Sequence, residues 1–437
     1  MRKFIVFSLM VMLSTVTFDA FSQEKKKEQK TRKAQSMTEK VYTKLTEAQE
    51  LIETGATNEG LAKLREIEQM KRLSPYEYAQ LYNYYAYTYF TLERYDDAIR
   101  SYEKVLRQPD LPEALETGTV YTLAQLYFTE EKYRKAIELI NRWFTLVEKP
   151  TENAYLLLGQ AYYQIEDFRK SLEPIKKAMQ MVKARGEIPK ENLYLLMRVN
   201  YYELNDYKNM ANIIKEMLPH YDKSEYWLTL AGAYSELKNM EGQMSIMEML
   251  YERGDLPKGN QQLNLANLYL LHETPYRAAQ LLDKGIKAKL IKAEIRNLRL
   301  LSQAWMQAKE FKRALPPLRR AAELSGKGDL YVRLGQALVN LDRYKEAVAA
   351  LRNGLKKGGV KRTDSANIML GLAYAEQKMY NQAKRAFQSA AKDRRSRKAA
   401  NNWIAYIDSE VARAKALKDG LKPRRRELEA PPEAADA

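Results

Sequence analysis

The chain has 437 residues, 45% of them hydrophobic, with 73 Lys and Arg against 56 Asp and Glu, a formal net charge of +17, no Cys and two His. Without Cys there is neither a disulfide framework nor a lipid-modified cysteine, so packing alone must hold the fold. With His220 and His272 as the only imidazoles, and no GxxxxGK[ST] loop to cradle a phosphate, the composition argues against a His-ligated metal centre, a Ser-His-Asp site or a nucleotide site. No catalytic residue, metal site or cofactor is expected.

In chain order, residues 1–22 read first as an export signal. Arg2 and Lys3 form a positive start, 4–16 a short apolar core, and Ala20-Phe21-Ser22 offers small residues for cleavage near Ser22. The core is shorter than the roughly 20 residues of a membrane span; an uncleaved anchor is the other reading. Export points to a periplasm. Residues 23–40, rich in Lys, read as a basic polar linker.

From residue 41 a fixed pattern takes over. Ala86, Tyr89, Tyr95, Ala98 and Tyr102 recur as Ala124, Tyr127, Tyr133, Ala136 and Ile140, as Gly159, Tyr162, Phe168, Ser171 and Ile175, and as Gly371, Tyr374, Tyr380, Ala383 and Phe387. Small residues sit where two helix backbones approach, and aromatics fill the gaps beside them. The pattern resembles the tetratricopeptide repeat, whose period is about 34 residues. The resemblance implies an all-α, right-handed superhelical solenoid over 41–397, of about ten helix pairs starting near Val41, Ala79, Thr117, Glu152, Glu191, Ser224, Gly259, Ile295, Gly328 and Asp364. Units between 191 and 292 drift: Arg198, Met210 and Gln243 replace small residues, and the 259 unit reads as carrying one extra residue before Tyr276. Pro174, Pro316 and Pro317 fall within second helices, which are expected to kink or begin late. The pairs Asp96-Asp97 and Glu130-Glu131 read as turn residues placing negative charge at helix N-termini. Gly326, Gly328, Gly358 and Gly359 read as breaks between repeats, where a helix C-cap needs positive φ.

A stack of helix pairs presents a face lined by its first helices. Numbering each unit from its start, positions 2, 5, 9 and 12 point away from the repeat core. They carry Gln80, Asn83, Tyr87 and Phe90; Tyr121, Gln125 and Phe128; Gln160 and Tyr163; then Asn192 and Tyr202. Rings and amides of this kind suit a peptide, giving apolar contact and backbone hydrogen bonds. A second, basic groove follows from Arg296, Arg299, Gln303 and Met306 with Arg333 and Gln336, suited to an acidic segment. The carboxylate clamp known from some proteins of this type does not match: its positions hold Asn83, Tyr87, Tyr121 and Thr122, without lysines.

Residues 398–420 read as a helix that caps the stack through Trp403, Ile404, Ile407 and Val411, with Asn401, Asp408 and Arg413 facing away. Between 384 and 426 there are 14 Lys and Arg against four acids, and 421–437 reads as a disordered charged tail. Basic clusters suit anionic partners; export argues against nucleic acid and leaves peripheral contact with an anionic membrane or cell wall.

As a whole, the signal, the AQELIETG segment at 48–55, the Tyr-dense block at 82–90 and the basic C-terminal helix resemble periplasmic tetratricopeptide proteins that accompany TonB, ExbB and ExbD energy-transduction systems. This implies a non-enzymatic accessory binding envelope proteins, with TonB, ExbB or ExbD as partners, in nutrient or iron uptake. The alternatives are a scaffold for outer-membrane assembly or polysaccharide export, and a glycan-binding cell-wall accessory.

Overall fold

The computed structural model describes residues 36–418. The export signal, residues 23–35 of the linker, and the tail lie outside the described residues, which hold 21 helices and no strand. The chain divides into two compact units after Lys238.

The first unit contains α1 (Glu39–Glu53), α2 (Thr57–Glu68), α3 (Pro75–Thr91), α4 (Tyr95–Leu106), α5 (Glu113–Thr129), α6 (Tyr133–Leu146), α7 (Glu152–Gln164), α8 (Phe168–Ala184), α9 (Glu191–Glu203), α10 (Tyr207–Met217) and α11 (Ser224–Glu236). The second contains α12 (Met240–Glu252), α13 (Gly259–Leu271), α14 (Pro275–Lys287), α15 (Ile295–Gln307), α16 (Phe311–Ser325), α17 (Gly328–Val339), α18 (Tyr344–Lys357), α19 (Thr363–Glu376), α20 (Tyr380–Ala391) and α21 (Arg397–Lys418). Within each unit consecutive helices pack on one another, giving the helix-pair repeat expected from the spacing.

Six first helices begin at the residue the spacing marks, from Glu152 through Gly328. α3 begins four residues before Ala79 because Ser74 and Glu77 form a capping box, with Pro75 at the first helical position, that starts it there. Glu77 is buried and also accepts from the Thr38 amide and hydroxyl at 2.9 and 2.7 Å, tying the start of α1 to α3. Burial opposes its charge, but the Ser74 and Thr38 donors outweigh this and hold the carboxyl below its ordinary value.

The small residues act as the pattern requires. A Cβ on Gly159 would meet Ile175 Cγ1 at 2.5 Å, and on Gly371 would meet Phe387 Cε1 at 2.5 Å. Gly159 in turn accepts a hydrogen bond at its carbonyl from Ser171 Oγ, 2.7 Å away.

The turns within pairs share a device that the sequence does not advertise. Glu93, Glu131, Glu166, Asn205, Lys238, Glu273, Lys309, Asp342 and Lys378, the fifteenth residue of nine units, all have φ between 53° and 63°. Each follows the end of a first helix, and in all but the Lys238 turn the next amide bonds back five residues, as from Lys132 to the Tyr127 carbonyl at 2.8 Å. This is a Schellman closure with a side-chain-bearing residue at the left-handed position. Such a residue costs about 1 kcal/mol there. Glu131→Gly is therefore expected to raise stability by about 0.5 kcal/mol once the greater freedom of unfolded Gly is offset, seen as a higher urea midpoint.

Four expectations are corrected. Glu273 holds the usual turn position and Pro275 the first position of α14, so the 259 unit has no extra residue; Ala278 and Leu282 keep register and are fully buried. α8 runs from Phe168 through Pro174, and α16 from Phe311 through Pro316 and Pro317, so of the two outcomes expected for these prolines the late start does not occur. For α8, Asp167 caps the start by accepting from the Lys170 amide at 3.2 Å, which begins the helix six residues ahead of Pro174. Asp96 and Asp97 lie in the first turn of α4, but Glu130 and Glu131 belong to the C-terminal closure of α5. Gly326, Gly358 and Gly359 have positive φ, whereas Gly328 does not and is needed for a different reason, a close backbone approach.

At the end of the second unit, α21 docks through buried Ala400 and Ile407, with Trp403 and Ile404 half-buried. Val411, expected in this stripe, is 43% exposed; the helix has left the body by that turn. The loop before α21 is held by Asp364, whose buried carboxylate accepts from Arg362 at 2.9 Å and from Ser396 Oγ at 2.7 Å. The Arg362 guanidinium, with Ser396 assisting against burial, holds this carboxyl well below the usual carboxylate range. A lowered folded pKa gives stability that is present above the unfolded value, near 3.9, and lost as pH falls toward the folded one. Asp364→Asn is expected to cost about 2 kcal/mol at pH 7, the range for hydrogen bonds to a charged group, and the difference from the parent should shrink below about pH 4. Urea titrations at pH 7 and 3 check both.

Candidate functional site

The first helices of the first unit place the expected residues as follows. Gln80, Asn83 and Tyr87 on α3 are half-buried and Phe90 is 41% exposed; Tyr121, Gln125 and Phe128 on α5, Gln160 and Tyr163 on α7, and Asn192 on α9 are half-buried, while Tyr202 is 55% exposed. None is fully buried, in contrast to Ala86, Ala124 and Gly159 on the same helices.

The rings are not equivalent. Phe90, Phe128, Tyr163 and Tyr202 each pack against the first residue of the following helix: Tyr95, Tyr133, Phe168 and Tyr207, with centroids 5.9, 5.3, 5.7 and 6.4 Å apart. Aromatic pairs prefer this separation. Each pair spans the turn and forms a two-ring ledge at one edge of its repeat. Its signal in the sequence is two aromatics five residues apart around a turn. Tyr121 is also committed, lying 5.0 Å from the Trp143 ring, and burial pushes its phenol up. Tyr87 packs against the cluster of Leu81 and Tyr85. Gln80 donates to Tyr76 Oη at 3.0 Å.

In the second unit, Gln303 and Met306 on α15, Arg333 and Gln336 on α17 and its C-cap residue Asn340 meet around a cleft of about 380 Å³ that Lys309 also lines. Four of these were expected in one groove. Arg296 and Arg299 are not part of the cleft lining; they are exposed and form no ion pair among the described residues. Arg333 lies 3.5 Å from Asp329, with both side chains more than a third exposed. Such a pair contributes little, so an incoming carboxylate can displace it. The amides offer donors and acceptors to a peptide backbone, and Met306 an adaptable apolar surface.

A second cleft of about 280 Å³ is lined by Tyr78, Tyr82, Lys104 and Arg107. Its rings are not free platforms: Lys104 Nζ sits 4.4 Å over the Tyr82 ring, and the Tyr82 hydroxyl donates to Glu68 at 3.1 Å. Burial, then Glu68, pushes that phenol up to about 12. Among the described residues no group of His, Asp or Glu is placed to hold a metal ion, and no helix is long and apolar enough to cross a membrane.

Two family profiles match the chain: residues 92–178 that of the anaphase-promoting complex, cyclosome, subunit 3, and residues 332–380 that of the tetratricopeptide repeat. No curated protein matches significantly. Among solved structures, the chain is similar to MamA (18% identity, TM-score 0.34, 40% of this chain and 94% of that one) and to YrrB, a tetratricopeptide protein with an unusual peptide-binding site (18%, 0.35, 43% and 94%). It is also similar to the Naa15/Naa10 complex bound to HypK (17%, 0.44, 78% and 53%). At these identities and TM-scores the structures say nothing of partners. With the repeated helix pairs, the profile matches define the class: a tetratricopeptide-repeat protein, a protein-interaction scaffold.

Proposed function

We propose that this protein is an exported, non-enzymatic scaffold that binds envelope proteins along its first-helix faces, as an accessory of TonB-dependent energy transduction and nutrient or iron uptake. The observation that carries the binding reading is the cleft between α15 and α17, where amides, a thioether and two cations converge. The half-buried amides and rings of α3, α5, α7 and α9 offer a further face of the same chemistry. Export rests on the sequence of residues 1–22, and the TonB setting on the resemblance of the chain's organisation to periplasmic proteins of those systems.

The test is in-cell photo-crosslinking from position 202, the most exposed ring of the first face, and from position 303 in the cleft. Capture of TonB, ExbB or ExbD, lost with Tyr87→Ala plus Phe128→Ala or with Arg333→Ala, supports the proposal. Capture of an outer-membrane assembly or polysaccharide-export component moves the function to that setting. Co-sedimentation with purified cell-wall material would instead favour glycan binding, which the covered Tyr82 ring argues against.

A further inference from the structure

Arg198 is the exception on α9. It occupies the eighth position of its unit, where the other nine units hold Ala48, Ala86, Ala124, Gly159, Ala231, Ala266, Ser302, Gly335 and Gly371. Its Nε is shut off from solvent with no hydrogen-bond partner. Nη1 makes one long bond, 3.4 Å to Thr229 Oγ1, a hydroxyl already donating to the Glu225 carbonyl at 2.7 Å. Among the described residues no carboxylate lies within ion-pair distance of it. Burial draws the guanidinium below its ordinary range, with Tyr226, Glu225 and Tyr163 near enough only to resist.

Enclosed cations in folded proteins are ordinarily paired, because an unpaired one forfeits hydration without compensation. Within the fold Arg198 has only the long bond to Thr229 and weak support from Glu225, Tyr226 and Tyr163 against its burial, yet the residue remains partly exposed, so its outer edge can be reached from solvent. It is also the only Lys or Arg in α7, α9 and α11, the three first helices around it. One guanidinium matches one carboxylate in a bidentate pair; a phosphate, with its higher charge, calls for several cations. Glu191 and Glu225 nearby would repel a run of acids. Tyr163 lies near Arg198 and the exposed Tyr202 stands one turn further along α9, and both can supply apolar contact.

We infer that Arg198 is an anchor for a single acidic side chain, flanked by uncharged residues, of a peptide segment laid along α7, α9 and α11. This rests on the protein-binding reading above.

The test compares the full-length chain with Arg198→Met, which keeps the stem and removes the charge. Thermal unfolding of R198M is expected at or above the parent midpoint, since a poorly compensated cation has been removed. Peptides selected from a random display library on the parent chain should share one Asp or Glu. Its exchange for Asn or Gln should weaken binding at least tenfold, R198M should weaken the acidic peptide equally, and the two losses should not add. A lower unfolding midpoint for R198M would show that the guanidinium is satisfied within the fold and would overturn the proposal. So would a library that enriches no acidic position, or inorganic phosphate raising the parent midpoint but not that of R198M, which would assign a free anion. Peptides that depend on Tyr87 and Phe128 but ignore Arg198 would leave the scaffold reading standing and remove this one.

Discussion

Replacing Gly328 by Ala is expected to splay the ninth helix pair, at a cost of about 3 kcal/mol, the upper range for overpacking. A Cβ at this position would lie 2.0 Å from the Gly354 carbonyl oxygen and 2.5 Å from that of Gly358. Both obstacles are backbone, so no side chain can rotate away. The Gly328 amide also donates to the Gly358 carbonyl at 3.0 Å, fixing the start of α17 against the end of α18. Gly354 faces back, since its own Cβ would meet the Gly328 oxygen at 2.8 Å. Gly358, at φ 73° and ψ −172°, occupies backbone space open essentially to Gly alone. Three glycines thus allow one approach. Gly326→Ala is the comparison: its φ is 63° but open space surrounds it, so its cost should be only about 1 kcal/mol. Urea unfolding of both variants, with hydrogen exchange over 328–358, checks the difference; equal midpoints would mean that the close approach does not constrain the pair.

Much of this architecture was legible in the chain because the repeat's chemistry is local. Gly159 and Ile175, or Gly371 and Phe387, must meet for two helices to pack, and their spacing is written in the sequence. What stayed hidden depends on three dimensions. The left-handed turn residues are Glu, Asn, Lys and Asp rather than Gly, so residue type did not mark them; the bond from the sixteenth amide to the eleventh carbonyl holds them there. Periodicity assigned Phe90, Phe128, Tyr163 and Tyr202 to a face, but not to the ring across the turn that each leans on. In the basic groove, Gln303 and Arg333 converge on a cleft while Arg296 and Arg299 do not, because a one-dimensional register does not set how far a neighbouring helix reaches. Arg198 was visible as a departure from the small-residue rule; the unsatisfied Nε was not.

Trp403→Ala should loosen the last helix pair by about 3 kcal/mol, at the level of other large-to-small core changes. The indole lies parallel to Phe387, with centroids 5.7 Å apart and planes 7° from coplanar, and meets Tyr406 edge-on at 5.6 Å. Phe387 is itself fully buried and rests against Gly371. Removing the indole therefore uncovers the central ring of the tenth unit, not just a surface contact. Little else on α21 can compensate. Ile407 and Ala400 are buried, but Val411 and Leu417 are 43% and 63% exposed. The Lys384–Asp408 pair, 2.7 Å apart, is solvent-exposed on both sides and contributes little. In a repeat array each unit leans only on its neighbours, so an uncapped end opens before the body does. Hydrogen exchange over 363–391 should then accelerate in Trp403→Ala while residues 295–325 keep their protection. Val411→Ser, a change on the same helix beyond the docked turns, should stay within about 0.5 kcal/mol of the parent. If Trp403→Ala behaved like Val411→Ser, the helix would not be the cap that its stacking on Phe387 indicates, and the tenth pair would have to be stable with its final face open to water.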